Sequence, residues 1–161
     1  MMKKFVSLLL ALALVLSLTA AAAEEDRQKL VYKSMDLSIV TPQNVHSELN
    51  YRLALTVGVL YELYGAVEDG KLEQKYVDAG FAGVLNDSIY VAADTDGLLG
   101  LAFGTGSSIL FVVSDSHECM LSLMEGDYSN SNIEAAMKEN FTYVHRVYND
   151  DLMAALKSLQ E

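Results

Sequence analysis

Between Phe81 and Met124 the chain alternates short apolar segments with turn residues: FAGVL, Asn86-Asp87, SIYVAADT, Asp96-Gly97, LLGLAF, GTGS, SILFVVS, DSHE and CMLSLM. Segments of this length, rich in Val, Ile, Phe and Tyr and bounded by Asn, Asp and Gly, predict about five antiparallel strands joined by hairpins. Ile109 to Val113 is apolar on both alternating faces, as in a central strand covered on both sides. Ile89, Val91 and Ala93 alternate with Tyr90, Ala92 and Asp94, which predicts a strand with one drier face. A sheet of this kind needs covering layers, supplied by helices or by a second copy of the chain.

The period changes on either side of the meander. Thr41-Pro42 has the form of a helix start, and Val45, Leu49, Leu53, Val57, Leu60, Tyr64 and Val67 then recur at spacings of three and four. This predicts a long helix ending near Asp69, with Gly70 in left-handed geometry. Tyr51, Leu55, Val59 and Leu63 add a second apolar strip. A helix apolar on most of its circumference belongs inside a curved sheet or at an interface. Read with period two, Tyr51 to Val59 would instead be a strand. Leu72, Tyr76 and Ala79 predict a short helix ending at Gly80.

At the ends the signals are weaker. Glu24 to Lys33 is polar, loose or helical, and Met35, Leu37 and Ile39 alternate with polar residues as in a short edge strand. After the meander, Asn130 or Ser131 caps a helix over Asn132 to Glu139. A strand follows around Phe141 to Tyr148, then an amphipathic helix carrying Leu152, Leu156 and Leu159. The fold class is α+β: an antiparallel meander packed on or curled around one long apolar helix, with smaller C-terminal helices. A roll around the central helix is the first architecture, and a flatter two-layer sandwich is the second.

The first 23 residues stand apart. Lys3 and Lys4 precede the apolar run Phe5 to Leu18, Ala21 to Ala23 supply small residues, and Glu24, Glu25 and Asp26 follow. That order is a secretory signal peptide, removed on export; kept, the same stretch would be a membrane anchor. Residues 24–161 then form one domain of about 138 residues, long enough for a real core. It lacks a second long apolar run, so no membrane association is expected once the leader is gone.

Charge narrows the partners. With 22 acidic against 11 basic residues the net charge is −11, and loss of the leader's two lysines makes it about −13. Such a surface repels nucleic acid, whose phosphates need Lys and Arg. Cys119 is the single cysteine. It excludes an intramolecular disulfide and leaves a buried thiol or a disulfide-linked dimer.

Candidate chemistry gathers at Ser114 to Cys119. Asp115, His117, Glu118 and Cys119 form the most polar cluster and are the candidate ligand-binding residues. A hydrolase triad needs its members brought together in space, and neighbours on an extended chain point to opposite faces. His117 and Cys119 share a face, but zinc needs a third or fourth ligand, from His46 or His145. Asp94-Thr95-Asp96-Gly97 starts like a calcium loop, then places Leu99 where Gly is needed and Thr105 where Glu is needed. Gly104 to Ser108 precedes a strand instead of a helix, so it is no phosphate cradle. Asn86-Asp87-Ser88 and Asn140-Phe141-Thr142 fit the glycosylation pattern but have no known host to act on them. No catalytic set, metal site or cofactor is implied. The expected function is that of a small exported binding or interaction domain for an unknown protein or small ligand, through a buried cavity or a homodimer surface. A hydrolase or metal-dependent enzyme built on the Asp115–Cys119 loop is the alternative. Mass spectrometry of the exported protein checks the first step: the mature chain is expected to begin near Glu24, and retention of Phe5 to Ala23 would make it an anchored protein.

Overall fold

The computed structural model describes residues 26–30, 48–94, 98–114 and 118–158. The elements are β1 (Asp26–Leu30), α1 (Glu48–Glu68), α2 (Gln74–Leu85), β2 (Ile89–Ala93), β3 (Leu99–Gly104), β4 (Gly106–Ser114), β5 (Cys119–Tyr128), α3 (Asn130–Asn140), β6 (Tyr143–Val147) and α4 (Asn149–Ser158). The six strands form one antiparallel sheet in the order β1-β5-β4-β3-β2-β6. The α+β class and the antiparallel sheet therefore hold, with β2 to β5 as the meander. The leader, Thr41-Pro42 and the strand expected over Met35 to Val40 lie outside the described residues.

The pairing explains why helices occupy both faces. Every neighbouring pair is antiparallel, so β5 and β6, at opposite ends of the meander, run in the same direction. Their connection must cross the sheet, and α3 makes that crossing over one face. β1 and β2 are likewise parallel, and α1 and α2 lie between them in the chain, over the other face. Ile89, Val91, Leu101, Phe103, Leu110 and Leu121 point to the α1/α2 side. Tyr90, Ala92, Ala102, Phe111 and Met124 point to α3, where they meet Ile133, Met137 and Phe141. β4 is buried on both faces, as its double apolar pattern predicts, and so is β2, whose expected wetter face is covered by α3.

Three expectations are corrected. First, a long apolar helix enclosed by the sheet is not what forms. Among the described residues α1 starts at Glu48, lies on one sheet face and turns its outer side to solvent. Leu55, Val59 and Leu63 of the second strip and Leu60 of the first are buried, each worth about 1.5–3 kcal/mol, and Leu53, Val57 and Val67 of the first strip pack half-buried against the same core. Tyr64, counted in the main stripe, is exposed. Both strips therefore contribute to the core, and the position of the sheet sets how deeply each residue is buried. Second, FAGVL is not a strand but the last part of α2, which runs through Gly80. Asn86-Asp87 remains a stop signal, but for a helix: Asp87 adopts φ 49°, and Asn86 Nδ2 donates to the Ala82 carbonyl at 2.7 Å. Third, Asp26 to Leu30 is an edge strand paired with β5, held by its partner despite its polar sequence. The end of α1 does match its signal, since Gly70 has φ 68° and the Lys71 N–H reaches back to the Ala66 carbonyl.

Small residues set the layer spacing at β3. A Cβ on Gly83 of α2 would fall 2.7 Å from Phe103 Cβ and 2.9 Å from its Cα. On the other face a Cβ on Gly100 would enter the Phe141 ring, and one on Gly104 would lie 2.5 Å from Ile133 Cδ1. Gly58 and Gly65 of α1 differ, with nothing within 4 Å of an added Cβ. Gly83→Ala is expected to lose about 2–3 kcal/mol by overpacking against backbone, whereas Gly58→Ala should gain about 1 kcal/mol in helix propensity. Urea unfolding of the two variants checks the contrast.

Candidate functional site

Only part of the Asp115–Cys119 loop is within the described residues. Cys119 opens β5 opposite Ser114, faces the α1/α2 core and is fully buried. Its thiol is sealed inside the folded domain, which closes the route to a disulfide-linked dimer of intact copies. Glu118 forms an ion pair with Lys29 of β1 at 2.8 Å. It thus fastens the edge strand. Asp115 and His117 lie outside the described residues, as does His46. His145 sits on β6 opposite Val91, far from β5 in strand order. Among the described residues no group of three or more His, Cys, Asp or Glu side chains could hold a metal ion. Asp94 is engaged in a turn: its carboxylate accepts the Leu98 N–H at 2.7 Å, while its own N–H donates to the Leu98 carbonyl.

Two polar clusters went unforeseen, because each joins residues far apart in sequence. In the first, Arg146 Nη2 donates to the Asp87 carbonyl at 2.5 Å and lies 3.2 Å from its carboxylate. Asp87 Oδ1 accepts the Asn149 N–H at 2.8 Å. A carboxylate there offsets the positive end of α4, so Asp87 ends one helix and caps another. Arg52 of α1 donates to the Arg146 carbonyl at 3.1 Å, and the Arg146 guanidinium lies over the Tyr148 ring. Close by, Ser88 Oγ donates to Asn130 Oδ1 at 2.7 Å and the Tyr90 hydroxyl donates to the Asn130 carbonyl. These bonds fix α3 to β2. Burial raises the Tyr90 phenol above its usual value.

The second cluster joins β1 to α2. The Lys75 ammonium is paired with Asp26 and lies 5.4 Å from the Tyr76 ring centre. Lys75 holds the Asp26 carboxyl below its ordinary value, and Asp26 in turn raises Lys75. Tyr76 is fully buried, and its hydroxyl feels the Asp26 charge without a hydrogen bond of good geometry. Burial first, then Asp26, pushes its pKa up to about 12. Neither cluster presents an activated nucleophile beside a general base, the minimum for acyl or phosphoryl chemistry. Both are clamps between elements.

The remaining candidate is apolar. On α1 the outward stripe is Ala54, Gly58, Tyr61 and Gly65, flanked by Val57 and Tyr64. On α2 the outward residues at the same helical spacing are Gln74, Asp78, Phe81 and Leu85. The helices pack side by side on one sheet face, with Gly80 against Leu60, and both stripes point away from the core. Tyr61 and Leu85 are the most exposed large hydrophobic side chains of the described residues. The Tyr64 hydroxyl is hydrogen-bonded to Glu68, which raises its pKa. No helix among the described residues is long and apolar enough to cross a membrane. Comparison of the chain with family models, characterised proteins and solved structures finds no match, so the reading of this surface rests on its own chemistry.

The Tyr76 shift has a signed consequence. The unfolded phenol loses its proton near pH 10 while the folded one keeps it to about 12, so this contribution is complete below pH 10 and is lost as pH rises from 10 to 12. The Lys75 contribution also falls in the alkaline range, since its folded value is raised. Thermal unfolding against pH should show a steeper alkaline decline for the wild type than for Tyr76→Phe. At pH 7 that variant should be neutral or about 1 kcal/mol more stable, since it deletes a buried unpaired hydroxyl.

Proposed function

We propose that the chain is a small exported domain that binds another protein surface, without catalysis, through the outer face of α1 and α2. One observation carries the reading: Tyr61, Tyr64, Phe81 and Leu85 are all exposed on two adjacent helices whose inner faces already supply the core. Exposed aromatic and aliphatic side chains grouped on one face mark interaction surfaces. Tyr148 is exposed for another reason, since its ring covers the Arg146 guanidinium.

Export rests on the Lys3-Lys4, Phe5 to Leu18 and Ala21 to Ala23 order. A domain outside the cytoplasm, acidic overall, keeps its solubility through charge and concentrates its adhesion where charge is missing. The polar clusters at Asp87 and Asp26 support the same reading, because they hold α1, α2, β1 and β6 rigidly under that face. The loop at Asp115 to Cys119 has no comparable support: of its described members Cys119 is turned inward and Glu118 is engaged by Lys29.

Photocrosslinking residues placed at positions 61, 85 and 138, in the cell that makes the protein, test the proposal. Crosslinked species are expected from 61 and 85 and not from 138, which lies on α3 across the sheet. Equal yields at all three, or none at 61 and 85, would overturn it.

A further inference from the structure

Resting on the interaction reading above, we infer that the occupant of the α1/α2 face is a second copy of the same chain, docked by antiparallel crossing of the two α1 helices. The first argument is shape. An interface between identical copies must carry both its projections and its recesses on one patch. On α1 the recesses are Gly58 and Gly65, where an added Cβ meets nothing, and the projections are Tyr61 and Tyr64. A two-fold axis beside Tyr61 sets Tyr64 of one copy over Gly58 of the other, since the two positions are equally spaced about it. Glycine at a crossing lets helix backbones approach closely. Inside one copy these two glycines only weaken the helix, by about 1 kcal/mol each.

Charge is the second argument. Exported copies, carrying a net charge of about −13 once Lys3 and Lys4 are gone, repel each other, so they can meet only where acidic residues are sparse. From Ala54 to Gly65 the outward stripe of α1 has no charged member; Glu62 borders it, and Asp78 is the one acid on the outward stripe of α2. A basic partner would instead be drawn to the acidic remainder of the surface. The third argument is area. Tyr61, Tyr64, Phe81 and Leu85 are 80%, 53%, 46% and 82% exposed. At about 200 Å² per side chain they offer roughly 500 Å² per copy, or roughly 1,000 Å² for the pair, the lower bound for a specific interface. Such a dimer is of modest affinity.

Light scattering on size-exclusion fractions of the exported protein tests the inference across a concentration series. The wild type is expected to move from one-copy to two-copy mass by about 100 µM. Gly58→Leu, which fills the recess yet finds open space within one copy, should weaken dimerisation at least tenfold without lowering the melting temperature measured at low concentration. Tyr61→Lys should do the same by placing charge at the axis. A wild type that stays at one-copy mass, or a dimer untouched by both substitutions, overturns the inference. The two readings fail separately: one-copy mass with a crosslink from position 61 to a different protein removes the second copy and keeps the interaction face, whereas one-copy mass with no crosslink removes both.

Discussion

Everything in this structure depends on how closely two helical layers can approach the strand β3. Its residues alternate strictly, with Leu99, Leu101 and Phe103 toward α1 and α2, and Gly100, Ala102 and Gly104 toward α3. The second set leaves space that Phe141 and Ile133 fill from the opposite layer. On the first side Phe103 reaches the α2 backbone at Gly83, so closely that a Cβ there would overlap it. Close packing on both faces makes the centre of the sheet dry, and a dry strand must satisfy its backbone entirely within the ladder. β2, β3 and β4 do so, each with two antiparallel neighbours.

The edges of the sheet are held differently. β1 carries Asp26, Arg27, Gln28 and Lys29, which bury little apolar area. It is retained by its ladder to β5 and by polar contacts to other elements, among them Lys75 to Asp26, Lys29 to Glu118, and Gln28 to the Lys71 carbonyl. β6 is held by Arg146 and Arg52, with Asp87 at the meeting point. Exposed ion pairs contribute little each, so these contacts matter more for position than for total stability. They fix where α1 and α2 lie, and therefore which of their side chains remain outside.

That remainder gives the described residues a face where four exposed apolar side chains, Tyr61, Tyr64, Phe81 and Leu85, stand on two adjacent helices. The composition is acidic, whereas the outer stripe of α1 has small residues and tyrosines over three turns. Apolar residues turned away from a completed core add nothing to the stability of a single copy and expose it to association. Their presence is therefore informative about binding in a way that the ion-paired Glu118 and the buried Cys119 thiol are not.

Local signals were legible wherever one stretch of chain carries its own cause. The meander strands β2 to β5, the left-handed stop at Gly70, the turn at Asp94 and the C-terminal helix all follow from periodicity and turn chemistry, which act over a few residues. FAGVL was misread because five apolar residues before Asn86-Asp87 suit a buried helix end as well as a strand, and only the contact between Gly83 and Phe103 separates them. The strand at Asp26 to Leu30 had no apolar pattern at all, being formed by its neighbour's ladder. The two polar clamps join residues 49 to 94 positions apart, a pairing that spacing does not encode. The sequence by itself determined the class of fold, the acidic exterior and the absence of an internal disulfide, because these depend on composition and short-range geometry. The tertiary structure decided how deeply each strip of α1 is buried, that helices cover both sides, and that Tyr61 and Leu85 stay outside. A helix with two apolar strips has no preference of its own, and the layer it lands on sets the depth of each.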